Sequence, residues 1–363
     1  MLGLEESKKF GLIAHILDNF AYLIDTYGHI PNGNRSYFLS RSQPPYFSLM
    51  VTLLAKHKGE NILAKYLPQL QKEYDYWMDK RPGTSHKVVL GDGSVLNRYW
   101  DQKATPREEP FYEDSSLAVG KNDRQRLYRN LRSGAESGWD FSTRWFSDSK
   151  NLSSINTTDI LPVDLNCLLY HLERTLEKGY LLKGNLKKSS AFSHLAHRRK
   201  RAIEKYFYDT KDGWYYDYVL SSKRHSSERT IAGITPFFFQ IPPVGKRVKA
   251  AAVVEKDFLK PGGVVTTLHP SGQQWDAPNG WTSLQWVTIQ ALNNYQEKEL
   301  AKKIAARWIA LNTKVYENTG KLMEKYNVEN VNLTAGGGEY PSQDGFGWTN
   351  GVLLKLRKMY GLQ

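Results

Sequence analysis

The chain has 363 residues, 40% hydrophobic and 24% charged, which is enough for one large domain or two ordinary ones. A single cysteine excludes an internal disulfide bond, and no apolar run approaches the ~18 residues that a membrane-spanning helix needs. The net charge of +13 leaves nucleic-acid binding open. The basic residues are spread along the chain, however, and the densest run, 197–201, is more typical of a solvated helix face.

The N-terminal part begins with helices and then becomes irregular. Apolar residues at helical spacing predict helices over 5–27, 46–57 and 60–79. Gly28 is suited to end the first of them. The following segment, 80–135, is polar and weakly periodic, and its length favours a functional role. Inside it we predict a hairpin around Gly91-Asp92-Gly93.

Helices dominate again from residue 163 onwards. Leucines at helical spacing predict a helix near 163–176, with Asp164 as its N-cap. A hairpin is predicted over Tyr206–Leu220, turning at Asp212-Gly213. Further helical patterns cover 187–206, 227–239, 246–259, 281–296, 298–316 and 348–360. About ten helices with long loops predict an all-α toroid with little strand, and the lack of a short repeat disfavours a solenoid.

Three loops combine aromatic rings with a carboxylate. Asp140 lies in 137–145 between tryptophan and phenylalanine rings, which would desolvate its carboxyl and raise its pKa, as a general acid requires. It could equally cap a helix or strand. Asp276, in 271–281, could be an acid, an acceptor for sugar hydroxyls or a turn residue. Glu339 follows three glycines in 334–350, a segment that could also be a plain surface loop before the last helix.

The three loops are more informative together than singly. In a helical toroid the loops at one end converge on one mouth, and aromatic faces beside hydrogen-bonding side chains suit a polyhydroxylated ligand. Two opposed carboxylates in an aromatic pocket are the catalytic groups of most glycosidases. The nine histidines form neither an HExxH nor a Cys–His pattern, so we expect no metal.

These motifs carry a resemblance to a known family. The segment Gln274–Trp281 resembles the second signature of the trehalases, glycoside hydrolase family 37, which usually continues with proline where this chain has Ser283. Segments 137–145 and 336–350 are similar to the family's two catalytic segments. Two further segments, 25–35 and 40–45, resemble its substrate-binding region. The likeness runs from Met1 to about Tyr360 and is closest to bacterial trehalases.

The resemblance implies an (α/α)6 toroid with small β-hairpin insertions, in a single catalytic domain over 1–363. It implies hydrolysis of α,α-trehalose to two glucose molecules with inversion, without metal or cofactor. Asp140 would be the general acid and Glu339 the general base, with carboxyls about 6.5–9.5 Å apart. The residues expected to contact the sugar are Asn32, Arg41, Ser42, Gln43, Arg107, Glu109, Gly138, Trp139, Gln274, Trp275, Asp276, Trp281 and Trp348. The family usually has proline where this chain has Glu108, which bears on the assignment of Glu109.

One departure from the family concerns the N-terminus. The first signature of the family, a PGGRF-type segment ending in Trp-Asp-Ser-Tyr-Phe, would lie before Met1. We therefore expect an N-terminally truncated trehalase with an incomplete toroid, acting as a monomer on trehalose without nucleic acid or membrane. Its location is open: cytoplasmic as the chain stands, periplasmic if an upstream signal peptide is missing. The alternatives are a carbohydrate-binding remnant with little or no turnover and, on net charge alone, a nucleic-acid binder.

Overall fold

The structure, a computed structural model, describes residues 1–79, 85–335 and 340–361. These residues form helices joined by long loops, with five small antiparallel sheets. The helices are α1 (Leu2–Glu6), α2 (Phe10–Tyr27), α3 (Phe47–Lys58), α4 (Asn61–Lys65), α5 (Leu67–Trp77), α6 (Phe111–Leu117), α7 (Arg124–Ser137), α8 (Val163–Leu182), α9 (Leu186–Tyr206), α10 (Thr235–Phe238), α11 (Arg247–Val253), α12 (Thr282–Asn294), α13 (Lys298–Thr319) and α14 (Gly347–Tyr360). Across the described ranges, no helix has the length and apolar character needed to cross a membrane.

The strands are two or three residues long. They are β1 (Lys87–Val89), β2 (Val95–Asn97), β3 (Ile160–Leu161), β4 (Tyr208–Asp209), β5 (Trp214–Tyr215), β6 (Tyr218–Val219), β7 (Arg224–His225), β8 (Leu259–Lys260), β9 (Gly263–Val264), β10 (Asn279–Trp281) and β11 (Lys325–Asn327). The pairs β1–β2, β4–β5, β6–β7 and β8–β9 are local hairpins, whereas β3 pairs with β6 and β10 with β11 across longer stretches of chain. The β1–β2 hairpin turns at 90–94, as predicted. The β4–β5 hairpin likewise turns around Asp212-Gly213.

Apolar periodicity explains the helices that the sequence predicts best. In α2 the residues at 13, 17, 21 and 24 are buried, and Gly28 ends the helix at φ +83° with its N–H bonded to the Ile24 carbonyl. The predicted helix over 5–27 is divided in two, because Lys8 adopts a left-handed φ of +56°. The predicted helix over 60–79 is also divided, since Pro68 belongs in the first turn of a new helix, α5.

The two ends of the chain meet, because α1 packs against α14. Gly3 and Gly351 allow this approach: a Cβ on Gly3 would lie 2.7 Å from the Gly351 Cα. Glu5 is buried at the junction, where it contacts His57 Nε2 at 2.6 Å and Lys355 Nζ at 2.9 Å. Packing of α8 on α9 and of α12 on α13 supplies the helix pairs that the toroid requires.

Three further predictions of secondary structure need correction. Helix α7 lies inside the segment that seemed irregular, because its buried face includes Asn130, Arg132 and Glu136 beside its apolar residues. Where a helix was predicted over 227–239, the chain has a 3₁₀ turn followed by the single-turn α10. Asp164 is not an N-cap: α8 begins at Val163, and the Asp164 carboxylate pairs with Arg144 at 2.8 Å.

Candidate active site

Asp140 lies in the turn that follows α7. Gly138 ends this helix at φ +75°, a left-handed conformation that glycine adopts without strain. The Trp139 N–H then donates to Ser137 Oγ at 3.0 Å, which fixes the direction of the turn. Asp140 itself is half-buried, and the neighbouring rings of Trp139, Phe141 and Trp145 are buried. The predicted aromatic surroundings of Asp140 are therefore present.

The loop around Asp276 is attached directly to the Asp140 loop. Gln274 Nε2 donates to the Asp140 carbonyl at 2.6 Å, and the Trp275 N–H donates to the Phe141 carbonyl at 3.1 Å. Gln274 thus holds the backbone of Asp140. The structure brings together two of the three loops that the sequence singled out.

Asp276 accepts five hydrogen bonds and has no exposed surface. One carboxylate oxygen accepts from the hydroxyls of Ser142 at 2.7 Å, Thr143 at 3.1 Å and Thr267 at 3.0 Å. The other accepts from the Thr143 N–H at 2.9 Å and from the Ser271 hydroxyl. Burial raises the pKa of this carboxyl, although the hydrogen bonds oppose the rise. Asp276 therefore ties the two loops together, and its contact with the sugar stays a prediction.

Other predicted contact residues also support the site from within the protein. Ser42 is buried and donates its hydroxyl to Glu136 at 3.1 Å. Gln274 has both ends of its amide occupied, by the Asp140 carbonyl and by Lys325 Nζ at 3.1 Å. Trp281 is 1% exposed. The side chains of these residues, like that of Asp276, are almost entirely buried, and their contacts with the sugar stay predictions.

Four tryptophans form a continuous row beneath the loops. The rings of Trp139 and Trp275 stack with centroids 5.4 Å apart, and those of Trp275 and Trp281 with centroids 3.8 Å apart. Trp348 meets Trp281 edge-on at 5.7 Å and is half-buried. The row links the Asp140 loop to the start of α14, and its partly exposed end is the part available to a sugar ring.

Several of the remaining predicted residues meet around Arg41. Its guanidinium is 1% exposed, donates from Nε to Asn32 Oδ1 at 3.0 Å, and pairs through Nη2 with Glu109. Gln43 is exposed and donates to the Asn32 carbonyl at 2.6 Å. Within the described residues Arg41 Nη1 has no hydrogen-bond partner, and Asp101 Oδ2 lies 3.8 Å from it. The pairing with Arg41 places Glu109 in the predicted group.

Arg107, another predicted contact residue, lies against the Asp140 loop. Its guanidinium pairs with Asp114, with Nη2 to Oδ1 at 2.7 Å and Nε to Oδ2 at 3.1 Å. The same guanidinium lies over the Phe141 ring, 4.7 Å from its centroid. Arg107 is thus held against the residue that follows Asp140.

Sequence reasoning missed Glu136, a fully buried carboxylate at the end of α7. It accepts from the Ser42 N–H at 3.0 Å, the Trp100 N–H at 2.7 Å and His86 Nε2 at 3.1 Å. Burial pushes the pKa of Glu136 upward, but His86 and the backbone donors outweigh it and hold the pKa below its ordinary value. Glu136 therefore fastens the Arg41 group to α7, one turn before Asp140.

A second missed element is the pair Glu324–Lys325. Strand β11 pairs with β10, so that Lys325 lies opposite Trp281. Buried Lys325 Nζ donates to Gln274 Oε1 and, at 3.0 Å, to Glu324 Oε2, while the Tyr340 hydroxyl donates to Glu324 Oε1 at 3.0 Å. In the sequence this element is visible only as the run Glu-Lys-Tyr before Asn327. Three residues are too few to show the alternation that would predict a strand.

Tyr340 brings the third loop to the same place. Burial, followed by the negative charges of Glu324 and Asp140, raises the pKa of the Tyr340 phenol, so this residue lies within electrostatic reach of Asp140. Glu339 precedes it directly but lies outside the described residues, so the predicted separation of the two carboxyls stays a prediction. Among the described residues there is no group of three or more side chains that could hold a metal ion.

The fold is that of the helical toroid glycosidases. The structure superposes on the neutral trehalase of Saccharomyces cerevisiae with a TM-score of 0.82 and 23% identity, covering 98% of this chain and 69% of that one. It also matches a family 63 mannosylglycerate hydrolase from Thermus thermophilus with a TM-score of 0.60 and 18% identity, covering 98% of this chain and 90% of the other. At these identities the likeness establishes the fold alone.

The sequence comparisons are closer. The sequence profile of the Trehalase family matches residues 1–361. The periplasmic trehalase of Salmonella paratyphi A is 49% identical over 364 aligned residues, and that of Salmonella agona is 48% identical. Each alignment covers 98% of this chain and 64% of the relative, so the chain spans just under two thirds of their length. The chain belongs to the trehalase family.

Proposed function

We propose that this chain carries the catalytic centre of an inverting α,α-trehalase, with Asp140 as general acid and Glu339 as general base. One observation carries the proposal: the loop of Asp140, the loop of Asp276 and the chain at Tyr340 meet in one hydrogen-bonded cluster. Glu339 directly precedes Tyr340 in the sequence. Membership of the trehalase family and the names of the relatives supply the substrate.

The proposed reaction breaks the bond between the anomeric carbon of one glucose and the bridging oxygen. Asp140 gives its proton to that oxygen, while Glu339 takes a proton from a water molecule that attacks the carbon from the opposite face. One glucose leaves with its α configuration, and the other is formed as the β anomer. Buried rings on both sides of Asp140 suit the neutral carboxyl with which a general acid must begin.

The substrate is neutral, so binding relies on hydrogen bonds and aromatic contact. The Arg41 group supplies donors and acceptors at one side, including Arg41 Nη1, which faces Asp101 at 3.8 Å and has no hydrogen-bond partner within the described residues. The exposed part of Trp348 supplies an apolar face. We propose a monomer that needs no metal, cofactor or nucleic acid. The names of the relatives support a periplasmic location.

The test is to incubate the purified 363-residue chain with millimolar trehalose and to follow the glucose anomers by proton NMR before mutarotation. The proposal expects equal amounts of α- and β-glucose in the first products. Products that are all α would indicate retention and refute the two assigned roles. Calorimetric binding of trehalose without any glucose release would instead support the alternative, a carbohydrate-binding protein without turnover.

A further inference from the structure

A cavity of about 480 Å³ lies outside the candidate active site, between α9 and the β1–β2 hairpin. Met78, which directly follows α5, and Glu173 of α8 also line it. None of the residues assigned above to the reaction or to trehalose lines it. Its volume falls within the ~300–1,000 Å³ typical of small-molecule sites and exceeds what a free inorganic anion would fill.

Positive charge predominates around this cavity. Five cationic and two acidic side chains line it: Lys87, Arg198, Arg199, Arg201 and Lys205 against Asp92 and Glu173. Both acids are already paired, since Glu173 Oε1 contacts Arg199 Nε at 2.9 Å and Asp92 Oδ2 contacts Lys205 Nζ at 2.6 Å. The side chains that line the cavity therefore carry more positive than negative charge.

Two arginines at the rim account for much of that excess. Arg198 and Arg201 are exposed and lie one turn apart on α9. Arg198 Nη2 donates to the Gly93 carbonyl at 3.2 Å, a neutral acceptor. Neither arginine forms an ion pair with a carboxylate anywhere in the described ranges. Guanidinium groups without a carboxylate partner are suited to bind a phosphate, because two of their N–H groups can contact two phosphate oxygens at once.

The floor of the cavity has a different character, because it is buried and holds both charges. Arg199 and Glu173 are 3% and 1% exposed. The nearest partner of Arg199 Nη2 is the weak acceptor Met78 Sδ at 3.7 Å, and Glu173 Oε2 has no hydrogen-bond partner in the part of the chain described. A carboxylate at this depth repels phosphate oxygens but accepts from hydroxyl groups. A phosphate would therefore stay at the rim and hydroxyls would point inward.

We propose that this cavity is a second ligand site, which binds a phosphate monoester of a small polyol, that is, a sugar phosphate. Arg198 and Arg201 hold the phosphate, while Arg199 and Glu173 face the hydroxyl groups. The site stands independently of the proposed hydrolysis, because it shares no residue with the candidate active site. It also gives a role to the basic run at 197–201, which is not merely a solvated helix face.

The experiment is a calorimetric titration of the full chain with glucose 6-phosphate, inorganic phosphate and glucose at low ionic strength. The proposal expects glucose 6-phosphate to bind more tightly than inorganic phosphate. Raising the salt concentration should weaken glucose 6-phosphate binding and leave glucose binding unchanged, because only the former depends on charge. Absence of glucose 6-phosphate binding at millimolar concentration, or equal affinity for inorganic phosphate, would overturn the proposal. Neither comparison requires a variant.

Paired variants locate the site. Arg198→Ala/Arg201→Ala should weaken glucose 6-phosphate binding about tenfold or more, because two charge-assisted contacts are lost. The matched control Lys187→Ala/Lys200→Ala removes the same charge from the same helix, outside the cavity, and should change the affinity less than about twofold. Trehalose binding should be the same in both. Equal losses in the two double variants would show a general charge effect and contradict the assignment.

Discussion

Two regions of the candidate site use buried polar groups in opposite ways. In the loop junction, formed by 137–145 and 267–281, every oxygen of the Asp276 carboxylate is occupied by protein donors. In the arginine group, formed by Asn32, Arg41 and Glu109, one guanidinium nitrogen of Arg41 has no hydrogen-bond partner within the described ranges. A buried donor without a partner costs free energy that a ligand can recover. We therefore expect the loop junction to support the site and the arginine group to contact the substrate.

The largest effect is expected at Asp140 and Glu339, because the proposed mechanism assigns the two proton transfers to them. Asp140→Asn and Glu339→Gln should each lower kcat by about 10²–10⁴-fold, because each removes one proton-transfer step. Both changes keep the size of the side chain, so the melting temperature should stay close to that of the parent chain. Glucose release and thermal unfolding measure the two quantities. A variant with near-normal kcat would remove that residue from the mechanism.

Asp276 should show the reverse pattern, with loss of stability first. Asp276→Ala removes the acceptor of five hydrogen bonds, most of them buried, and should lower the free energy of unfolding by about 3–5 kcal/mol. Asp344→Ala is a suitable control, because this aspartate is exposed and its ion pair with Lys321 contributes only about 0–1 kcal/mol. Urea unfolding measures both. Loss of kcat without loss of stability would return Asp276 to the group that contacts the sugar.

The sequence predicts helices wherever one apolar face repeats. Helices α9, α12 and α13 therefore lie close to their predicted ranges. Helix α7 was not predicted, because its buried face carries Arg132 and Glu136. Their partners are distant in the chain: Arg132 bonds to Asp101 Oδ2 at 2.8 Å, and Glu136 bonds to His86. Buried polar residues of this kind do not form an apolar repeat, so the sequence alone does not show that they face the core.

The same limit applies to the site. Aromatic neighbours drew attention to Asp140 and Asp276, and the resemblance to the family gave them roles. Nothing local distinguishes a carboxylate that is buried and bonded from one that faces a cavity. For Asp276 the deciding contacts come from Ser142 and Thr143, more than 130 positions away. Lys325 was missed for a similar reason, because its contact with Gln274 spans 51 positions.

The buried carboxyl of Glu73 extends the comparison to the dependence of stability on pH. Glu73 is 2% exposed, and its Oε2 has no hydrogen-bond partner in the described part of the chain. Burial raises the pKa of Glu73 from 4.5 to about 8. Between these values the folded chain keeps a proton that the unfolded chain has lost. The contribution of Glu73 to stability is therefore greatest at low pH, falls as pH rises through this window, and is constant above it.

Glu73→Gln should remove this dependence, since glutamine imitates the protonated carboxyl. We expect the variant to be more stable than the parent by about 2–4 kcal/mol at pH 8, with little difference at pH 5. Glu317→Gln, an exposed change on α13, should alter stability equally at both pH values. Urea unfolding at pH 5 and pH 8 gives the comparison. A constant difference between Glu73→Gln and the parent would show that Glu73 is ionised when folded.

The smallest effect is expected at Arg41, where the charge can be kept and the geometry changed. Arg41→Lys retains a cation, but a single ammonium group cannot contact Asn32, Glu109 and a substrate hydroxyl in the positions that the guanidinium reaches. Loss of one charge-assisted hydrogen bond should raise KM for trehalose about tenfold, or ~1.4 kcal/mol, with a smaller change in kcat. The exposed Arg35→Lys serves as the matched control. If Arg41 only braces the loop, Arg41→Lys would instead lower the melting temperature and leave KM unchanged, and the contrast between the two regions would disappear.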